Sequence, residues 1–185
     1  MRKSWIIIAA LAAALSAGAQ TLENPSFEME GTQSDMAKGW SRWGDWINRE
    51  TGWTPTKDGA CIIGYHHWQI EKPDTSGLYQ DLQVEAGKTY TFNVYANADR
   101  PTDASKTAEN VELRLETTLD GAQSTIATKT YPYADLAGGT DWSLLSVSGV
   151  APNSTLRVLI IVTPAKEGQR GAAIKFDAAE LKSTP

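Results

Sequence analysis

The sequence predicts an all-β fold, a two-sheet β-sandwich of jelly-roll type. Three observations predict it. In Ser76–Asn97 two runs alternate with a period of two: Leu78, Gln80, Leu82 and Val84 against Tyr79, Asp81 and Gln83, then Tyr90, Phe92, Val94 and Ala96 against Thr89, Thr91, Asn93, Tyr95 and Asn97. Val111–Leu119 alternates as cleanly and runs into Asp120-Gly121, a strong hairpin signal. About eight to ten short runs of this kind fill the chain with turn residues between them, and none shows a sustained helical period. Each half-apolar strand needs a second layer to cover it, hence two sheets. The pattern alone fits an immunoglobulin-like sandwich as well as a jelly roll.

In chain order, Met1-Arg2-Lys3, the apolar Trp5–Leu15 and Ala17-Gly18-Ala19 have the form of a secretory signal peptide cut before Gln20. The apolar run is shorter than the roughly 20 residues of a membrane span. Residues 1–19 are therefore read as a signal peptide and 20–185 as one domain, secreted to an extracellular or periplasmic space. Leu22–Met29 is at most a short edge strand, because Pro25 cannot donate to a ladder. Residues 30–38 form a polar loop, and Gly39–Trp53 carries Trp40, Trp43, Trp46 and Trp53. Cys61–Ile70 is a strand, with Cys61, Ile63, Tyr65 and His67 on one face and Ile62, His66, Trp68 and Ile70 on the other. The Glu85–Lys88 connector serves either a hairpin or a crossing between sheets. In the run from Val111, Leu113, Leu115 and Leu119 point inward, and Glu112, Arg114 and Glu116 outward. A weaker strand at Ser124–Lys129, one at Trp142–Val150, a doubly buried one at Leu156–Val162 and a last one at Ala172–Leu181 complete the set, Ile174 and Phe176 facing in. Trp40 and Trp142 are the expected core tryptophans.

Composition narrows the function classes. The net charge is −5, and loss of Arg2 and Lys3 makes it two units more negative. An acidic chain without a basic run lacks the electrostatic footprint of a nucleic-acid or anionic-membrane binder. The single Cys61 has no intrachain disulfide partner and sits in an apolar segment, as a buried inert thiol would.

Asn24-Pro-Ser-Phe-Glu28 followed by Gly39-Trp40, then Gly77-Leu-Tyr-Gln80, Ala86-Gly87-Lys-Thr-Tyr90-Thr-Phe92, Trp142 before a Ser/Val strand, and Phe176-Asp177 come in an order and spacing that resemble a known family. The chain is similar, over about residues 22–182, to the carbohydrate-binding modules of the family 4, 9, 16 and 22 type in the galactose-binding-like jelly-roll superfamily. The resemblance implies a secreted, non-catalytic module that acts as a monomer on a poly- or oligosaccharide, beside a glycoside hydrolase. It also implies a structural calcium, with Glu28 and Asp177 as the matching carboxylates; the family's usual Asp-Asp pair is Asp177-Ala178 here. Calcium takes several hard oxygens and would tie both chain ends to the sandwich.

The second implied site is a sugar platform. Pyranose C–H groups lie against aromatic faces, and the hydroxyls need in-plane partners. Trp43, Trp46, Trp53, Tyr65, His67 and Trp68, with Arg49, supply that mixture in the N-terminal half; Asn93, Tyr95, Arg114 and Glu116 supply it on the outward faces of later strands. If both sets share one sheet they form a single cleft. Catalysis is not expected: glycoside hydrolysis needs two carboxylates about 5–10 Å apart, and no local acid pair, nucleophile motif or phosphate loop is present. Adjacent His66 and His67 face opposite ways on a strand and do not chelate one metal. The alternative from another class is a structural or adhesive cell-surface sandwich that binds a protein partner.

Overall fold

The period-two runs become two five-stranded antiparallel sheets. The computed structural model describes residues 21–44, 47–66, 75–99, 110–163 and 173–184. Among them are ten strands: β1 (Ser41–Trp43), β2 (Ile47–Thr51), β3 (Cys61–Tyr65), β4 (Ser76–Gln83), β5 (Thr89–Asp99), β6 (Asn110–Leu119), β7 (Ala122–Pro132), β8 (Ser143–Val150), β9 (Thr155–Thr163) and β10 (Ala173–Thr184). Sheet one has the order β1-β4-β9-β6-β7 and sheet two β2-β3-β10-β5-β8. The chain passes repeatedly from one sheet to the other, so β4 and β5 are joined by a crossing rather than a hairpin. Among the described residues no helix is long and apolar enough to cross a membrane.

The inward faces assigned by alternation form one core. Leu78 and Leu82 of β4, Tyr90, Phe92, Val94 and Ala96 of β5, Val111, Leu113 and Leu115 of β6, and Ile174 and Phe176 of β10 are all buried in it. Strand β9 is buried on both sides, as its unbroken apolar run requires. Asp120 and Gly121 both have positive φ, 51° and 79°, the backbone that a two-residue β6–β7 turn demands.

Four expectations are corrected. Leu22–Met29 is not a strand: Asn24 and Phe27 have φ of 52° and 58°, and the Asn24 side chain bonds Met29 O, Lys38 O and Met29 N, turning the chain locally. Leu119 is exposed rather than inward: Thr117 still follows the alternation, but Leu119 is the last residue of β6, paired with exposed Ala122 at the tip of the β6–β7 hairpin. Trp142 is only half-buried, whereas Trp40 is in the core, its Nε1–H directed at Glu23 O and Asn24 O. Two short strands, β1 and β2, occupy the tryptophan-rich segment, where no strand was expected.

At one side of the sandwich β7 of sheet one lies against β8, the last strand of sheet two. The Tyr131 hydroxyl donates to Ser146 O and accepts from Ser146 N, both at 2.7 Å. The outward backbone groups of Ser146 are thereby closed by a side chain from the facing sheet.

Candidate functional site

The outer face of sheet one is built in rows by the strand register. Trp43, Gly77, Ile161 and Glu112 lie side by side, then Tyr79, Leu159 and Arg114, then Asp81, Arg157 and Glu116. Gly77 decides the first row. A Cβ there would sit 2.0 Å from the Trp43 ring, so the indole occupies the space directly over the glycine. Trp43 stays 36% exposed in that position. Tyr79 adjoins it, ring centroids 6.0 Å apart and planes 43° to each other. Leu159 and Ile161, on the outer face of β9, are buried beneath this layer.

Charged side chains of fixed geometry border the aromatic pair. Arg114 donates to Glu112 at 2.6 Å and to Glu116 at 3.1 Å, all three on one face of β6. The Glu112 hydrogen bond is the main cause that holds the guanidinium above its ordinary pKa. Arg157 grips Asp81 with two hydrogen bonds, 2.6 and 2.8 Å, while its guanidinium lies 4.2 Å from the Tyr79 ring centroid. Half-exposed pairs like these contribute little to stability. Their effect is to freeze donors and acceptors at set positions around an aromatic surface.

The other predicted residues lie elsewhere. Asn93 and Tyr95 are on β5, so they point from the outer face of sheet two, and the single cleft that joined them to Arg114 and Glu116 does not form. Asn93 donates to Glu180, and the Lys57 ammonium lies over Tyr95, 4.3 Å from its centroid. Trp53 is also on this side, stacked on His66 at 4.3 Å and pressed over Gly64, where a Cβ would meet it at 2.8 Å. Segment 53–58 lies across the sheet: Lys175 donates to Thr54 O, and Lys57 N and Asp58 N donate to Asp177. Tyr65 is fully buried in the core and cannot be a platform. Arg49 is committed to Phe27 O, Glu28 O and Cys61 Sγ, so it clamps the N-terminal turn instead of facing a ligand. Trp46, His67 and Trp68 lie outside the described residues.

Glu28 and Asp177 both turn toward segment 57–61. Glu28 Oε1 accepts from Ala60 N and Cys61 N, and a Cβ on Gly59 would collide with this carboxylate. Asp177 Oδ2 accepts from Lys57 N and Asp58 N, and Oδ1 from Ala178 N. Burial pushes the Asp177 carboxyl above its ordinary pKa, against the pull of these three amides. N–H donors occupy Glu28 Oε1 and both Asp177 oxygens, and the described residues hold no group of three or more His, Cys, Asp or Glu arranged for a metal. This donor set does not fit a calcium ion.

Tyr79, Asp81, Glu112 and Arg157 are site residues that sequence reasoning did not single out. Alternation had placed Tyr79 and Asp81 on an outward face beside Gly77, and an outward aromatic beside a glycine was the available signal. Arg157 sits 76 positions from its partner Asp81, a pairing no local pattern reveals.

No family model matches the chain, and no curated protein matches it. Solved structures do share the fold. A family 61 carbohydrate-binding module in complex with β-1,4-galactotriose superposes with a TM-score of 0.61 over 88% of this chain and 97% of that one, at 14% identity. A family 4 carbohydrate-binding module gives 0.55 over 88% and 99%, at 16% identity. An apo cyclase from Fischerella sp. gives 0.64 over 92% and 98%, at 18% identity. The architecture is thus the jelly-roll sandwich of carbohydrate-binding modules, a fold that also carries enzymes.

Proposed function

We propose that the protein is a secreted, non-catalytic carbohydrate-binding module, and that the outer face of sheet one is its glycan site. The observation that carries this reading is Trp43, laid over Gly77 and left exposed beside Tyr79, with Arg114, Glu112 and Glu116 fixed next to it. Two neighbouring aromatic faces offer stacking surface to sugar rings, and the locked charged groups offer hydrogen bonds to ring hydroxyls without loss of rotamer freedom on binding. Carbohydrate-binding modules of the same fold support the reading.

The ligand is an uncharged glycan. Three carboxylates meet two guanidiniums on this face, so an acidic polymer meets excess like charge on a protein already at −5. The same pairing argues against catalysis. Glycoside hydrolysis needs two carboxyls free to act on either side of one bond, and Glu112, Glu116 and Asp81 are each engaged by an arginine. Asp177, whose carboxyl burial pushes up, lies away from this face, under segment 53–58 on the opposite sheet.

The test is affinity electrophoresis of residues 20–185 through gels containing neutral or uronate polysaccharides. Retardation by a neutral polymer that Trp43→Ala abolishes is the expected outcome. A folded protein that no glycan retards would overturn the reading and leave an adhesive module with a protein partner.

A further inference from the structure

Past the Asp81–Arg157 pair, the same face opens into a notch of about 110 Å³ between the ends of β4, β9 and β6 and the start of β7. Its lining includes Gln83, Thr118, Gln123 and Thr155, amides and hydroxyls, closed on one side by Asp81 and Arg157. The pairing of β6 with β7 shifts just before this point, where β7 carries one extra residue, Ile126. Thr117, inward like Leu113 and Leu115, lines the notch from below, its hydroxyl 2.7 Å from Asn153 Oδ1 and 2.9 Å from Thr155 O. Arg157 belongs to both regions: its guanidinium lies over Tyr79 and its side chain borders the notch. Tyr79 and Gln83 are four residues apart on β4, about 13 Å at the strand rise. The volume is several times the roughly 30 Å³ share of one water, the scale of a sugar substituent rather than a solvent crevice.

We propose that this notch is a subsite for an uncharged sugar branch on the glycan whose main chain crosses Trp43 and Tyr79. The proposal rests on the glycan-binding reading of that face. Groups that both donate and accept suit hydroxyls on a neutral substituent, and the salt-bridged wall leaves no free cation to favour a uronate or sulfate. The notch is recessed behind Arg157 and the β6–β7 turn, so a main chain lying on the rows passes its mouth, while a branch enters it.

The test compares polymers that share a backbone and differ in neutral branches: hydroxyethylcellulose with xyloglucan, linear xylan with arabinoxylan, and mannan with galactomannan. Wild-type protein is expected to be retarded more by the branched member of one pair. Thr118→Leu with Gln123→Leu, which fills the notch and removes its hydrogen-bonding groups, should lower that affinity about tenfold, the size of one or two lost hydrogen bonds, and leave the linear member unchanged. Gln83→Met alters the opposite wall and should reproduce the effect if the double variant melts early. Equal weakening on both members assigns the notch to the main chain and overturns the branch subsite; so does an unchanged preference for the branched member. Absence of retardation of wild-type protein by all six polymers fails the glycan-binding reading itself, and the subsite falls with it.

Discussion

The two outer faces of the sandwich carry similar residues and treat them oppositely. On sheet one Trp43 rests over Gly77 and stays open to solvent. On sheet two Trp53 rests over Gly64 in the same manner, yet it is half-buried, with His66 stacked against it and segment 53–58 drawn across the sheet. A tryptophan over a glycine is therefore not by itself a binding surface. The difference lies in anchors. Sheet two has Asp177 and Lys175 in adjoining positions to hold loop amides and a carbonyl, whereas the corresponding charges on sheet one bond one another across or along strands.

The comparison can be broken most severely at Asp177. Asp177→Ala leaves three partly buried amide donors without their acceptor, and the expected loss of stability is about 2–3 kcal/mol, read by urea unfolding. Glycan retardation at a temperature below the melt should not change. If it does, the two faces are coupled, and the separation drawn between them fails.

Next in size is the open face. Trp43→Ala should weaken glycan binding about thirtyfold, or about 2 kcal/mol, with little shift in Tm, measured by titration calorimetry. Gly77→Ala should weaken binding comparably although it removes no contact group, because the new methyl must displace the indole. A Trp53→Ala variant sharpens the contrast: its effect is expected on the melt, about 1–2 kcal/mol, and not on the ligand.

Smaller effects probe the cover over sheet two. The folded Asp177 carboxyl titrates above its ordinary 3.8, so between those values the folded chain holds a proton that the unfolded chain has released. Its contribution thus favours folding at low pH and is lost as pH rises through that window, the reverse of the usual salt-bridged carboxylate. Urea melts at stepped pH, with Asp177→Asn as the reference, should show this slope in the wild type alone. Smallest of all is the effect of EDTA, expected to leave the Tm unchanged because backbone amides already hold Glu28 and Asp177. A drop of several degrees would show that a cation completes this site after all.

Strand identity and inward faces were legible because burial imposes a period that survives in sequence: Leu78, Phe92, Leu113 and Phe176 could each be placed without coordinates. Which sheet a strand joins was not. Glu85–Lys88 reads equally as a hairpin or a crossing, and that ambiguity merged Tyr95 with Arg114 into one imagined cleft. Tyr65 illustrates a second limit. Its type suits a sugar platform, but its parity with Ile63 on β3 puts it in the core, and parity was the stronger signal. Of the aromatic crowd, Trp43 could be nominated from sequence, whereas its exposure depends on a glycine 34 positions away that only the β1–β4 register brings beneath it.

The clasp between Tyr131 and Ser146 has a consequence at the scale of many molecules. The rim of a sheet is a template on which a foreign chain can add itself, and repeated addition is the route to fibrils. The hazard grows wherever many copies are held at high local density. By engaging the outward amide and carbonyl of Ser146, one phenol removes a docking point from the last strand of sheet two. At Ser146, a crowding neighbour then finds no free backbone pair on which to start a strand.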